Sequence, residues 1–171
     1  MKILLRIVVL LLALAAAAYL YALTLPAHTT HTRSITSQQT PDAIFALLAD
    51  FQNMPKWNRN MEKIEMLPPV EGKPATRQTF KGNMQMTIIT SESTPPTHLV
   101  RSMGDDSGPF AGSWTYDITP TATGSNVVLV EQSDVKSPIF RLMMKLFGPT
   151  KYMDEHLEDI AKHFGETAVV K

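Results

Sequence analysis

The chain contains no cysteine among its 171 residues. This absence excludes disulfide bridges, thiolate metal sites, a cysteine nucleophile and a lipid-modified cysteine anchor. The 16 basic and 16 acidic residues cancel, so no net field favours nucleic acid or another strongly charged partner. Neither a glycine-rich phosphate loop nor a Ser-His-Asp arrangement is visible. We therefore predict no nucleic-acid partner, no metal and no cofactor.

The N-terminal segment is strongly apolar. Residues Ile7 to Leu25 include no charged residue, and Lys2 and Arg6 precede them. A helix of this length covers most of the ~30 Å hydrocarbon core of a bilayer. The run is longer than the apolar core of a cleaved signal peptide, and its end offers a poor cleavage site. We therefore predict an uncleaved, single-pass transmembrane anchor, with a cleaved signal-like segment as the alternative.

The charges around this segment predict its orientation. Lys2 and Arg6 lie before it, and the next charged residue is Arg33. The positive-inside rule then places the N-terminus in the cytoplasm and the rest of the chain outside the cytoplasmic membrane, in the periplasm where the cell has an outer membrane. The predicted division is an anchor in 1–26, a linker in 27–32, a folded domain in 33–166 and a tail in 167–171.

A capped helix follows a first predicted strand at Arg33 to Ser37. Thr40 suits the N-cap, and Pro41 suits the first helical position, where its missing N–H costs nothing. Apolar residues then recur at helical spacing. They are Ile44, Phe45, Leu47, Leu48 and Phe51.

Further strands are predicted from alternation and from turn signals at short intervals. They are Met61 to Leu67, Thr76 to Lys81, Met84 to Ser91, His98 to Met103, Trp114 to Ile118 and Val127 to Gln132. The Gly82-Asn83 pair suits a tight hairpin turn. Because the connections are short, we expect an antiparallel, meandering sheet.

The end of the chain is predicted to be one long helix, interrupted or kinked at Pro149. Its second part carries an apolar stripe. The stripe consists of Met153, Leu157, Ile160 and Phe164. For the first part, Pro138 to Phe147, three interpretations stay open: core packing, a lid over a cavity, or insertion into a lipid surface with Arg141 and Lys145 against anionic head groups.

These elements resemble the START-like superfamily, which includes polyketide cyclases and aromatase-like proteins. The residues that match the family pattern are Asp50, Pro55, Trp57 and Asn58 after the capped helix, Gly112 to Pro120 in the penultimate strand, and Gly124 to Val127 in the following turn. The resemblance extends from about His31 to about Phe164. It implies an α+β helix-grip fold, in which a curved antiparallel sheet of about six or seven strands wraps round a long C-terminal helix and leaves a cavity between them.

In such a fold, the inward residues of the strands would line the cavity, and alternation nominates them. The predicted lining is Trp57, Phe80, Met84, Met86, Ile88, Trp114, Tyr116, Ile118, Met143, Met144 and Phe147. Methionine suits a binding surface because its unbranched thioether adapts to irregular guests. The alternative is that these residues simply fill a core.

Three charged residues lie within the predicted strands: Arg77, Arg101 and Glu131. Alternation alone does not determine which way they point, so they are candidate polar groups of the cavity, able to form a buried ion pair or to orient a polar head group.

No catalytic residue is predicted. We expect Asp50 to cap backbone N–H groups and Tyr116 to pack with one hydrogen bond. His156 and His163 are expected on a solvated face of the last helix, and His28 and His31 in the linker lack a third metal ligand.

Three functions remain open from the sequence. The first is a membrane-tethered domain that binds or transports a hydrophobic small molecule such as a lipid, a quinone or a polyketide-like ring compound. The second is a cyclase or aromatase-type enzyme that uses the same cavity with converging polar groups. The third is an interaction module whose interior is filled by its own side chains. No oligomeric state is predicted.

Overall fold

The computed structural model describes residues 2–104 and 110–171. The strands are β1 (His28–Ser37), β2 (Met61–Val70), β3 (Lys73–Phe80), β4 (Met84–Thr94), β5 (His98–Met103), β6 (Phe110–Thr121) and β7 (Gly124–Val135). The helices are α1 (Lys2–Thr24), α2 (Pro41–Ala49), α3 (Met54–Trp57), α4 (Pro138–Phe147) and α5 (Lys151–His163), with a 3₁₀ turn at Phe51–Asn53.

All seven strands belong to one antiparallel sheet, in the order β1-β7-β6-β5-β4-β3-β2. Strands β2 to β7 form a meander, and β1 returns to pair with β7. The curved sheet carries α2 and α5 on its concave face. The predicted α+β helix-grip architecture is therefore confirmed.

The first strand is longer than the sequence suggested. β1 begins at His28, not at Arg33, and pairs with β7 from His28↔Asp134 to Ser37↔Ser125. The proposed linker in 27–32 is therefore wrong, since almost all of it is strand. The segment is rich in threonine, a β-branched residue that suits a pleated surface, and β7 offers its long free edge as a partner.

The predicted tail also takes part in the fold. The backbone N–H groups and carbonyls of Lys171 and Ser34 exchange two hydrogen bonds of 3.0 Å. Ala168 and Val170 pack against the core. The end of the chain thus covers part of the free edge of β1, where unpaired backbone groups would otherwise invite another strand.

The capped helix forms as predicted. The Thr40 hydroxyl accepts a hydrogen bond from the N–H of Ala43 at 3.3 Å, and Pro41 occupies the first turn. Ile44 and Leu48 are fully buried against the sheet. At the other predicted turn, Gly82 and Asn83 both have positive φ, of 83° and 62°, which joins β3 to β4 in a tight hairpin.

The C-terminal helix is divided, and its two parts behave differently. Gly148, with φ of 95°, separates α4 from α5. α5 buries Met153, Leu157 and Ile160 in the core, whereas no residue of α4 is buried. Core packing, one of the three interpretations of the first part, is therefore contradicted.

One acidic residue of α5 is not on the solvated side. Asp159 is 3% exposed, and its carboxylate accepts hydrogen bonds of 2.7 Å from both the backbone N–H and the Nε of Arg59. The paired charge raises the pKa of Arg59. This ion pair ties the turn after α3 to the helix.

Among the described residues, α1 is the one helix that is long and apolar enough to cross a membrane. All of its large apolar side chains outside the last turn are exposed. By length and composition, α1 is a candidate membrane span or signal anchor.

Candidate functional site

A cavity of about 490 Å³ lies between the concave face of the sheet and the helices α4 and α5. Its volume is within the range of pockets that hold small organic ligands. Of the methionines in the described part of the chain, all but Met66 line it. Phe80, Phe110 and Phe140 add rings to the wall. The site is therefore soft, apolar and large enough for a guest.

Most of the predicted lining residues do face this cavity. They are Phe80, Met84, Met86, Ile88, Trp114, Tyr116, Met143, Met144 and Phe147. The residues on strands occupy alternate positions that point to the inner face. Met143, Met144 and Phe147 instead share one side of the helix α4. That they bind a ligand stays a prediction.

Trp57 and Ile118 lie elsewhere. Ile118 is on the predicted face of β6, but it is fully buried in the packed core beyond the cavity. Trp57 packs against the rings of His156 and His163, at centroid distances of 5.4 and 6.4 Å, and lines a separate surface groove. Parity along a strand predicts the face of a residue but not its depth, which explains the error at Ile118. Trp57 is the last residue of α3, so no strand alternation determines where its ring points.

The three charged strand residues separate into two groups. Arg77 is exposed on β3, opposite Glu65, and does not reach the cavity. Arg101 and Glu131 do line it. They belong to one rung of the sheet, since Arg101 pairs with Trp114 on β6 and Trp114 pairs with Glu131 on β7. The two charges thus flank Trp114.

Glu131 is engaged by its neighbours. Its carboxylate accepts hydrogen bonds of 2.8 Å from Trp114 Nε1 and from the hydroxyl of Ser133. These two hydrogen bonds hold the carboxylate against the wall. Glu131 therefore orients the ring of Trp114 at the cavity surface.

Arg101 has no such counter-charge. It is 4% exposed, and its guanidinium donates to the carbonyl of Leu48 and contacts Met54 Sδ at 3.9 Å. The guanidinium carbon lies 4.3 Å from the centre of the Phe51 ring, and the Nε has no hydrogen-bond partner. No carboxylate of the described residues forms an ion pair with it. Burial lowers the pKa of Arg101 to about 10, so the group remains a cation at neutral pH.

Tyr116 and His156 form a second polar group in the cavity wall. Tyr116 Oη and His156 Nε2 are 3.0 Å apart, and His156 Nδ1 lies 2.9 Å from Asn58 Nδ2. Asn58 Oδ1 accepts from the backbone N–H of Asn60 at 2.9 Å, which directs its NH₂ group towards the histidine. Burial, and secondly the charge of Arg101, lower the pKa of His156 to about 3. The imidazole is therefore neutral.

The sequence reasoning missed His156, which was expected on a solvated face. The acidic neighbours Glu155 and Asp159 suggested exposure, yet the helix turns this histidine inwards. A signal was present, because His156 completes a stripe with Met153, Leu157 and Ile160 at spacings of three and four residues.

Exposed apolar residues surround the mouth of the cavity. Met84, Phe140, Met143, Phe147 and Tyr152 all line it, and each is more than a third exposed. Single exposed apolar residues are ordinary, but a contiguous group indicates an interaction surface. An apolar rim therefore surrounds the mouth, and α4 forms one side of this rim.

The rim lies beside the end of α1. Lys145 Nζ donates to the Tyr21 hydroxyl at 2.6 Å, and Arg141 Nη1 donates to the carbonyl of Leu25 at 3.1 Å. Arg141 Nε also donates to the carbonyl of Val135 at 2.7 Å, at the end of β7. The two basic residues of α4 thus connect the apolar helix α1 to the sheet.

The comparison with protein families gives one match over most of the chain. The family described as "Polyketide cyclase / dehydrase and lipid transport" matches residues 28–165. No match is found among curated proteins.

Solved structures with a similar fold include enzymes and a protein described only by its superfamily. The di-domain aromatase/cyclase StfQ from the steffimycin biosynthetic pathway has a TM-score of 0.65 at 9% identity, over 78% of this chain and 50% of that one. The Zhui aromatase/cyclase from Streptomyces sp. R1128 has a TM-score of 0.61 at 14% identity, over 78% and 90%. A START superfamily protein from Mycobacterium smegmatis has a TM-score of 0.57 at 17% identity, over 80% and 98%. The chain thus spans half the length of the di-domain protein, and these likenesses concern the fold.

Proposed function

Because the chain belongs to the polyketide cyclase, dehydrase and lipid transport family, we propose that it is a membrane-tethered protein that binds or transports a hydrophobic small molecule in its cavity. The observation that carries this proposal is the apolar cavity of about 490 Å³, whose mouth lies beside α1. A lipid, a quinone or a polyketide-like ring compound would bury most of its surface there.

The composition of the wall supports binding over simple packing. Methionine has three rotatable bonds and a polarisable sulfur, so a wall of methionines adapts to guests of different shape. A core without function would be filled to crystal-like density, and the cavity is not filled. This contrast favours the first function over an interaction module packed with its own side chains.

The position of the mouth supports delivery from a membrane. If α1 spans the bilayer, α4 lies at the interface, where Ile139, Leu146 and Phe147, each more than half exposed, would enter the acyl chains. Tethering would also raise the effective concentration of the cavity beside molecules that partition into lipid. In the orientation predicted from Lys2 and Arg6, the domain lies outside the cytoplasmic membrane.

A cyclase or aromatase-type enzyme is the second candidate, and a specific observation favours it. Four titratable side chains, those of Arg101, Tyr116, Glu131 and His156, line one cavity. Such convergence is typical of active sites. However, burial holds the pKa of His156 near 3 and raises the pKa of Tyr116, so neither exchanges protons readily at neutral pH. We therefore place binding before catalysis.

The test is to identify what the cavity holds. The full chain is extracted with its surrounding lipid in polymer nanodiscs, and the bound molecules are identified by solvent extraction and mass spectrometry. Met86→Glu places a charge in the cavity, whereas Gln85→Glu places the same charge on the exposed outer face of the same strand.

We expect an apolar molecule that is enriched in the wild type and in Gln85→Glu, and lost in Met86→Glu. Equal extracts from all three proteins, with circular dichroism showing that each is folded, would contradict the binding function.

A further inference from the structure

We propose that the wall formed by Arg101 and Tyr116 is a subsite for an anionic oxygen group, such as a carboxylate or an enolate, at the polar end of an otherwise apolar ligand. This inference rests on the proposed binding function and deepens it by naming the chemistry of the ligand's head group. The proposal is supported by two independent features of the wall: a positive charge that no described carboxylate pairs with, and a hydroxyl hydrogen without an acceptor among the described residues.

The first feature is the charge of Arg101. Buried guanidinium groups are normally paired with a carboxylate, because an unpaired charge in the interior is unfavourable. The partners of Arg101 are a carbonyl, a thioether and an aromatic ring, and none of them cancels its charge. Glu131 lies two strands away on the same rung, roughly 9 to 10 Å by strand spacing, and is held by Trp114 and Ser133. Among the described residues no carboxylate pairs with Arg101, so the counter-charge is left to a ligand.

The second feature is the direction of the hydrogen bonds that end at Tyr116. Asn58 Nδ2 can only donate, so the neutral His156 accepts at Nδ1 and carries its hydrogen on Nε2. That Nε2–H then donates to Tyr116 Oη. The hydroxyl hydrogen of Tyr116 consequently has no protein acceptor among the described residues and is available to a ligand in the cavity. The relay makes Tyr116 a donor.

The two features lie side by side. Arg101 is opposite Trp114 across β5 and β6, and Tyr116 is two residues further along β6 on the same face. Such diagonal neighbours lie about 7 to 8 Å apart, within reach of long side chains. A cation and a hydroxyl donor that share one wall select a group that accepts hydrogen bonds and carries negative charge, and they repel a cationic head group.

Arg101 also has a structural contact, since its guanidinium donates to the Leu48 carbonyl near the end of α2. A residue with only that role would affect stability without affecting which head group the cavity prefers. The informative quantity is therefore the ratio of affinities for ligands that differ only in the head group.

The experiment compares three probes on one naphthalene ring: 2-naphthoate, 2-naphthamide and 2-naphthylmethylamine. Each is equilibrated by dialysis against the full chain in phosphatidylcholine nanodiscs, and binding to protein-free nanodiscs is subtracted. We expect 2-naphthoate to bind about tenfold or more tightly than 2-naphthamide, because hydrogen bonds to charged groups are the stronger class, and the amine to bind least.

The variants separate the two features. Arg101→Met should abolish the preference for 2-naphthoate, whereas Tyr116→Phe should weaken 2-naphthoate and 2-naphthamide by a similar factor of about five. Arg77→Met removes the same charge from the exposed face of the sheet and should change neither value. If Arg101→Met does not fold, Arg101→Gln removes the same charge while keeping a donor for the Leu48 carbonyl, and it should likewise abolish the preference, whereas Arg101→Lys should keep it.

The outcomes distinguish this inference from the function on which it rests. Equal binding of all three probes, or a preference that persists in Arg101→Met, would overturn the anionic subsite and leave the binding cavity standing. Failure of every probe to bind the wild type would count against both.

Discussion

The concave face of the sheet has a packed end and a hollow end, and α5 contributes to both. At the packed end, Ile35, Ile118 and Leu157 are at most 1% exposed and belong to one continuous core. At the hollow end, Met84 and Met143 are more than a third exposed around a cavity. The same sheet and helix therefore produce a solid interior and a void.

The difference follows from the side chains that each end presents. Branched aliphatic residues have few rotamers and interdigitate without gaps, as in organic crystals. Methionine and phenylalanine at the hollow end face α4, which buries none of its own residues and therefore fills the space beneath it only in part. An amphipathic helix that stays at the surface is what leaves the cavity open.

The largest expected effect is on the stability of the packed end. Leu157→Ala should lower the free energy of unfolding by about 2–5 kcal/mol, because it leaves a cavity in a fully buried site. Met144→Ala, in the wall of the hollow end, should lower it by about 1 kcal/mol, since space already exists there. Urea unfolding of the full chain, followed by tryptophan fluorescence, measures both. Equal values would mean that the hollow end is closed in solution.

Two serines on β7, one at each end of the sheet's concave face, allow the reverse test, in which a substitution adds side-chain volume. Ser125 is fully buried at the packed end, where its hydroxyl donates to the Gln39 carbonyl at 2.8 Å, whereas Ser133 lines the cavity. Ser125→Phe should destabilise the protein by about 1–3 kcal/mol or more through overpacking.

Ser133→Phe should instead leave the free energy of unfolding within about 1 kcal/mol and reduce ligand binding, because the ring occupies the void. Thermal unfolding and the probe dialysis described above give the two readings. A Ser133→Phe protein that binds the probes as well as the wild type would show that the ligand is held elsewhere.

The pH dependence of stability tests the polar wall between the two ends. The folded pKa of His156 is about 3, below the ordinary value of 6.5, so the unfolded chain takes up a proton that the folded chain refuses. The stability that the neutral His156 gives the folded chain is therefore fully present above pH 6.5. It is lost as the pH falls towards 3, at about 1 kcal/mol of unfolding free energy per pH unit.

The loss should be absent in His156→Gln and retained in His163→Gln, whose side chain is exposed on the same helix. Unfolding midpoints recorded between pH 7 and pH 4 make the comparison. Parallel curves for the wild type and His156→Gln would mean that His156 is already protonated or solvent-accessible.

Substitutions at the mouth of the cavity are expected to have the smallest effect on stability. The quantity to measure there is the polarity around the side chain. The chain has no cysteine, so a single Leu146→Cys on α4 can be labelled with a polarity-sensitive fluorophore. In nanodiscs, its emission should be blue-shifted by contact with lipid, whereas the matched Thr121→Cys, at the exposed last residue of β6, should report water. Identical emission from the two sites would contradict the placement of α4 at the membrane.

Local patterns were sufficient for most of the fold. The N-cap at Thr40, the apolar stripe of α5 and the turn at Gly82-Asn83 depend on neighbours within a few residues, and each is present in the structure. The start of β1 was predicted five residues late because its pairing with β7 joins segments about a hundred residues apart. No local pattern contains that information.

The candidate site likewise has some features that local patterns predicted and others that they did not. Alternation placed Met86, Trp114 and Tyr116 on the inner face correctly, because the period of a strand is a local property. Depth was not predictable, so Ile118 was assigned to the cavity although it lies in the core. The polar relay was missed because Asn58, Tyr116 and His156 come from three distant elements.

Sequence patterns were enough to identify the apolar N-terminal helix, the order of strands and helices, and the methionine and aromatic side chains available for an inner face. Tertiary contacts were needed to show that Arg101 is buried with no counter-charge among the described residues, that His156 points inwards, and that α4 stays at the surface beside α1. The physical reason is the range of the forces involved. Helical and strand periods act over a few residues, whereas burial, charge pairing and voids depend on which distant segments meet.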